Sequence, residues 1–238
     1  YSSAASDVYK RQVNNELTEA AKISLNLDES YHKEHTIQKE AKLVAFTFDD
    51  GPSKYTLDIA NILEEYNASA TFFEVGYNIK AHPEITKELS ERGFEIANHT
   101  TDHSKLTKLT EAKYLSKIND NNAIFKELTG KDMPYLRPPY GSYNDKIKAS
   151  AGVPIVTWSL DTRDWESRNK DKVIEMVINN IKEGDIILFH DLYESTRDAV
   201  KELMPLLKEQ GYQAVSVGEL FKSKGITLEA GTSYRYAR

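Results

Sequence analysis

Two adjacent carboxylates, Asp49 and Asp50, close the apolar run LVAFTF (43–48) within the stretch TFDDGP. Neighbouring strand residues point to opposite faces, but Gly51 and Pro52 begin a turn that can re-aim both acids. His99 and His103 stand four apart in HTTDH. On a helical turn that spacing puts both imidazoles on one face, close enough to share an ion. Two imidazoles and one carboxylate leave room for water and substrate, as catalytic zinc requires, and the same set also suits the non-haem iron of oxygenases. Arg137 opens RPPYG (137–141), where prolines stiffen the backbone and the guanidinium can clamp a carboxylate with two prongs. LDTRDW (160–165) carries Asp161, Asp164 and Trp165, and LFH (188–190) sets His190 beside Asp191. His32, His35 and His82 lie in polar, non-strand contexts and receive no role.

The elements that must position these groups are short apolar runs alternating with amphipathic stretches of helical length. The runs are LVAFTF (43–48), SATFFEV (69–75), FEIAN (94–98), PYLR (134–137), PIVTWS (154–159), DIILFH (185–190) and QAVSV (213–217). Helices are expected at 55–66, 83–92, 111–129, 143–151, 170–182 and 195–209, with Pro83 in a first turn and glycines 93, 130, 152, 184 and 211 as stops. Such alternation predicts an α/β fold with a parallel sheet. The reactive residues fall at C-terminal strand ends, which converge on one face only when the sheet curls round. The expectation is therefore a distorted or incomplete (β/α) barrel of about seven parallel strands.

The bulk properties narrow the chemistry. The chain has 238 residues, with 39% hydrophobic, 29% charged and a net charge of −6. That balance offers no basic footprint for nucleic acid and suits a neutral polymer such as a glycan. The absence of cysteine excludes disulfide frameworks, thiolate metal sites and cysteine nucleophiles. No apolar run approaches the roughly 20 residues of a transmembrane helix, and no signal peptide is visible. Residues 1–12 read as a processing remnant and residues 13–42 as a polar linker, leaving 43–238 as the catalytic domain.

Taken in order, TFDDGP, HTTDH, RPPYG, DTRDW and LFH closely resemble the five motifs of the NodB-homology polysaccharide deacetylases, carbohydrate esterase family 4. The resemblance runs from about Leu43 to Phe221, and DTRDWESRN is similar to the peptidoglycan N-acetylglucosamine deacetylase branch. It implies that Asp50, His99 and His103 bind a divalent metal, zinc in the first instance, with cobalt or another divalent ion able to substitute. It implies Asp49 as general base tethered by Arg137, the Tyr140 backbone N–H as oxyanion donor, and His190 as general acid oriented by Asp161. Trp165 and Leu188 would wall the acetyl pocket, while Asp164 matches the motif without a separate role. The implied substrate is peptidoglycan, with chitin-like or xylan polymers as alternatives, and the implied location is extracellular or at the cell surface. A glycosidase using an acid pair would leave His99, His103 and Arg137 idle. A non-catalytic glycan-binding module has no need of the full motif set.

Overall fold

The computed structural model describes residues 35–238, so the remnant expected over residues 1–12 and most of the linker expected over residues 13–42 lie outside the described residues. The compact unit begins at His35 rather than at Leu43. His35 reaches Glu219, and the Gln38 backbone N–H donates to the side chain of Gln213.

The first strand, β1 (Lys42–Asp49), organises everything else. All of its residues after Lys42 are buried, as expected of a strand covered on both faces. It pairs in parallel with β2 (Thr71–Glu74), β6 (Ile186–His190) and β7 (Tyr212–Val215). β2 in turn pairs with β3 (Glu95–Asn98), and β6 pairs with β5 (Leu160–Asp161). Bridges from Asn98 to Leu136 and from Leu136 to Ile155 continue the ring to β4 (Ile155–Val156), which pairs with β8 (Ser233–Tyr234). Residues 157–159, which include a bend, join β4 to β5, so the ring closes there through covalent continuity rather than a full ladder. This is the distorted parallel barrel expected from the sequence. Two expectations change in detail: PYLR contributes a single bridging residue, and the two-residue β5 and β8 were not anticipated.

Strand parity sorts the side chains. Val44, Phe46 and Phe48 point outward to the helices, where Phe48 stacks on Phe72 and Phe189 with ring centroids 5.2 and 5.3 Å apart. Each such phenylalanine contributes about 1.5–3 kcal/mol through burial. Leu43 and Ala45 point into the barrel with Phe73, Ala97, Val156 and Ile186. Thr47 and Asp49 share that inward parity, which aims Asp49 at the barrel interior.

The helices are α1 (Thr56–Glu65), α2 (Gly76–Ala81), α3 (Pro83–Glu91), α4 (Glu111–Thr129), α5 (Asp145–Ser150), α6 (Asp164–Ser167), α7 (Lys170–Asn180), α8 (Glu194–Glu209) and α9 (Val217–Ser223). Asn144 and Asn169 cap α5 and α7, and Ser216 and Glu219 form a capping box on α9. Among the described residues no helix is long and apolar enough to cross a membrane.

Candidate active site

The C-terminal ends of β1, β3, β5 and β6 open on one face of the barrel. A cleft of about 380 Å³ there is lined by Asp49, Asp50, His99, His103, Tyr140, Trp158, Asp161, Trp165, Leu188 and His190. Nine of the ten residues singled out from the sequence line it. The tenth, Arg137, lies fully buried behind Asp49. Trp158 was not anticipated as a site residue. The signal available was its place in the run PIVTWS, at the mouth end of β4.

Asp50 escapes strand alternation by its own backbone. Its φ of 74° puts it in the left-handed region, turning its side chain to the same cleft as Asp49. The re-aiming therefore occurs at the second acid itself, before the Gly51–Pro52 turn. Gly51 is obligatory for close packing, because a Cβ there would meet the Asp191 carboxylate oxygens at 2.3 and 2.6 Å.

His99 and His103 meet as expected, but on a non-helical turn with positive φ at Thr100 (69°) and His103 (58°). The turn is held by Asn98, whose side-chain oxygen accepts from the Thr100 N–H at 2.8 Å, and by Thr100, whose hydroxyl accepts from the His103 N–H at 3.2 Å. His99 Nδ1 donates to the carbonyl of Arg137 at 2.6 Å, which leaves Nε2 facing the cleft.

Asp50 Oδ1 lies 3.3 Å from Nε2 of both His99 and His103, yet it is buried and accepts no hydrogen bond. The donor atoms of Asp50, His99 and His103 all fall within 4.8 Å of one another. A buried oxygen without a hydrogen-bond partner is costly unless something cationic satisfies it. The three residues thus fit a divalent ion with one carboxylate and two imidazole ligands. The electrostatics agree. Burial opposes charge on Asp50, but the two histidines hold its carboxyl down at about 2. Burial likewise works against a charged His99, but Asp49 and Asp50 raise it overall. His103 is lowered by burial and by the neighbouring His99.

Asp49 is withheld from this cluster. Arg137 Nη1 donates to its Oδ1 at 2.7 Å and to the Thr47 hydroxyl at 2.8 Å. The remaining guanidinium nitrogens donate to the carbonyls of Val156 (3.1 Å) and Thr157 (3.0 Å), where the β4 ladder stops. The guanidinium carbon sits 3.9 Å from the Phe73 ring centroid. Burial lowers the pKa of Arg137 and Asp49 opposes that shift. The other Asp49 oxygen, Oδ2, lies 3.6 Å from His99 Nε2.

Across the cleft, His190 pairs with Asp164 and not with Asp161, which corrects the sequence expectation. Nδ1 of His190 donates to Asp164 Oδ1 at 2.8 Å, and its backbone N–H donates to Oδ2 at 2.7 Å. Asp164 is fully buried and also accepts from the Trp165 N–H and the Thr196 hydroxyl. Asp161 instead accepts from the Arg163 N–H at 2.8 Å. The physical reason is local: a left-handed Arg163 (φ 53°) starts α6 and swings Asp164 under His190. Burial alone would lower His190, but Asp164 raises it to about 9. Tyr140, also left-handed (φ 62°), sets its ring edge-on to His103 with centroids 4.6 Å apart.

The fold and site together define a distorted (β/α) barrel with a His–His–Asp cluster able to hold a metal ion, flanked by an arginine-held aspartate and an aspartate-held histidine. A family model described as polysaccharide deacetylase matches residues 36–155. The chain is 36% identical over 196 residues to the peptidoglycan-N-acetylmuramic acid deacetylase PdaC of Bacillus subtilis, covering 82% of this chain and 42% of PdaC. The solved structure of PdaC aligns with a TM-score of 0.77 at 35% identity, over 79% of this chain and 94% of that one. A peptidoglycan-N-acetylglucosamine deacetylase of Bacillus cereus is 36% identical over 197 residues, 79% of this chain and 92% of that protein. A family 4 acetyl xylan esterase from Clostridium thermocellum, solved with a cobalt ion, aligns with a TM-score of 0.77 at 30% identity, over 82% of this chain and 98% of that one. The chain belongs to the polysaccharide deacetylase family. It spans less than half the length of PdaC.

Proposed function

We propose that this protein is a metal-dependent hydrolase that removes N-acetyl groups from a cell-wall polysaccharide, with N-acetylglucosamine residues of peptidoglycan as the favoured substrate. The observation that carries this reading is the division of labour at the rim. One aspartate faces two histidines with an unsatisfied oxygen, while its neighbour is tied to a buried arginine.

Asp50, His99 and His103 would hold the ion, and zinc suits two imidazoles and a carboxylate. When bound, it supplies Lewis-acid chemistry, polarising a carbonyl and bringing the pKa of water toward about 7. Asp49 is the general base. Arg137 fixes one of its oxygens, leaving the other turned to the ligand cluster. The left-handed backbone at Tyr140 presents its N–H for the oxyanion of the tetrahedral intermediate. His190 is cationic at neutrality because Asp164 holds it so, and its free Nε2 protonates the departing amine. Trp165 and Leu188 wall the pocket for the acetyl methyl, and Trp158 joins them. The products are acetate and a glycan with a free amino group. A protein acting on that polymer works outside the cell or at its surface.

Release of acetate from peptidoglycan, chitin oligomers and acetylxylan, with and without chelator, tests this reading. Acetate with unchanged glycan chain length is expected, lost on chelation and restored by zinc or cobalt. Shortened chains would indicate a glycosidase, and full activity in excess chelator would remove the metal from the mechanism.

A further inference from the structure

A second pocket, about 550 Å³, adjoins the cleft on the His190 side, and Tyr55, Arg168, Lys170, Tyr193, Glu194 and Asp198 line part of it. The two spaces share structure. Tyr193 contributes its ring to this pocket, and that ring lies 6.2 Å from the His190 ring by centroids. Arg168 donates from Nε to the carbonyl of Trp165 at 2.8 Å, and Trp165 lines the catalytic cleft. A linear polymer with one sugar in the cleft extends beyond it, and this pocket lies within reach of a neighbouring sugar.

The charges in the pocket are not equivalent. Lys170 is paired with Glu202 and lies 3.9 Å from Asp171. Glu194 and Asp198 are both engaged by Arg197, at 3.1 and 2.7 Å. Arg168 pairs with no carboxylate among the described residues. Its guanidinium carbon instead lies 3.6 Å from the Tyr193 ring centroid. A guanidinium held against an aromatic ring, anchored at Nε and exposed, is pre-organised to receive an anion.

The geometry points to Arg168 as the carboxylate-binding residue of a subsite next to the reacting sugar, so that the protein selects glycans bearing an acid on the neighbouring unit. This rests on the deacetylase reading for the identity of the polymer, but not for the binding itself. A structural alternative is that Arg168 only caps α6 and props Tyr193.

The experiment compares peptide-free peptidoglycan strands carrying free lactyl carboxylates, the same strands with those carboxylates amidated, and peptide-bearing strands. Affinity is measured by calorimetry and acetate release in parallel, for wild type and for Arg168→Gln and Arg168→Lys. Wild type is expected to prefer a carboxylated strand over the amidated one. Arg168→Gln should reduce that preference about tenfold, as for a charge-assisted hydrogen bond at an exposed site. Arg168→Lys should retain part of it, since a single ammonium replaces the guanidinium. Preference for peptide-free strands assigns the carboxylate to the sugar. Preference confined to peptide-bearing strands assigns it to the peptide. An unchanged preference in Arg168→Gln, or none in wild type, overturns the proposal. Absence of acetate with carboxylate preference intact would sink the deacetylase reading alone.

Discussion

Replacing Asp164 by asparagine should shift the alkaline limb of the activity profile. His190 is held at about 9 chiefly by Asp164, working against burial. Without the carboxylate, the imidazole returns toward its ordinary value of about 6.5, a loss of roughly 3 kcal/mol in favour of the protonated form. At pH 8 the protonated fraction would fall from roughly nine tenths to about 3%, so turnover should drop about 30-fold there from this cause alone. Below pH 6 the gap should narrow. Four donors converge on the buried Asp164, and an amide presents an N–H to some of them, so a stability loss of about 1–3 kcal/mol should accompany the shift. The assay is kcat for acetate release from pH 6 to 10, with melting curves at each pH. Asp161→Asn is the counterpart, because Asp161 accepts from Arg163 and not from His190. Its limb should stay where it is in wild type. A limb that stays near 9 in Asp164→Asn, or moves in Asp161→Asn, would refute the assignment.

Other outcomes follow from the same geometry. His103→Ala and Asp50→Ala should each abolish tight zinc binding by calorimetry, whereas Asp49→Asn should keep the metal and stop turnover; a working Asp49→Asn would remove the base. Arg137→Met should destabilise the fold by about 3–5 kcal/mol in denaturant titration, since it leaves Asp49 buried and unpaired. Glu74 is fully buried, with one oxygen accepting from Thr86, and burial raises it from 4.5 to about 8. The folded state therefore holds a proton that the unfolded state has already released. Glu74 should thus make stability fall as pH rises from about 4.5 through about 8, alongside the buried Asp191 and His190, which are raised in the same direction, and Glu74→Gln should make that slope shallower. A wild-type melting temperature that rises over this range would contradict the buried neutral acid.

Much of this was legible in the sequence because local rules and tertiary needs coincide. The helix at 111–129 is observed with those limits, and β1 reads as a strand since burial on both faces demands a continuous apolar run. PYLR misleads because its pairing is one residue long, and its rigidity comes from prolines and from Arg137 bonds to distant carbonyls. Asp161 was expected beside His190 in place of Asp164 because only the left-handed Arg163, invisible in the sequence, decides which of them reaches it. The spacing of His99 and His103 gave the right meeting through the wrong local structure. Two positive-φ residues bring the imidazoles together where a helical turn was expected.

Among the described residues, seven that are not glycine hold positive φ, and six of them (Asp50, Thr100, His103, Tyr140, Arg163 and Arg168) stand on the rim loops around the cleft. Each costs on the order of 1 kcal/mol relative to a relaxed backbone. A library selected only for heat tolerance would therefore drift toward glycine at these positions, where the backbone gains most from the change. At Asp50, His103 and Arg168 that same drift would delete two of the proposed ion ligands and the proposed anion clamp. Thermal robustness and chemistry compete here position by position, and screens for a sturdier protein need an activity filter on this face above all others.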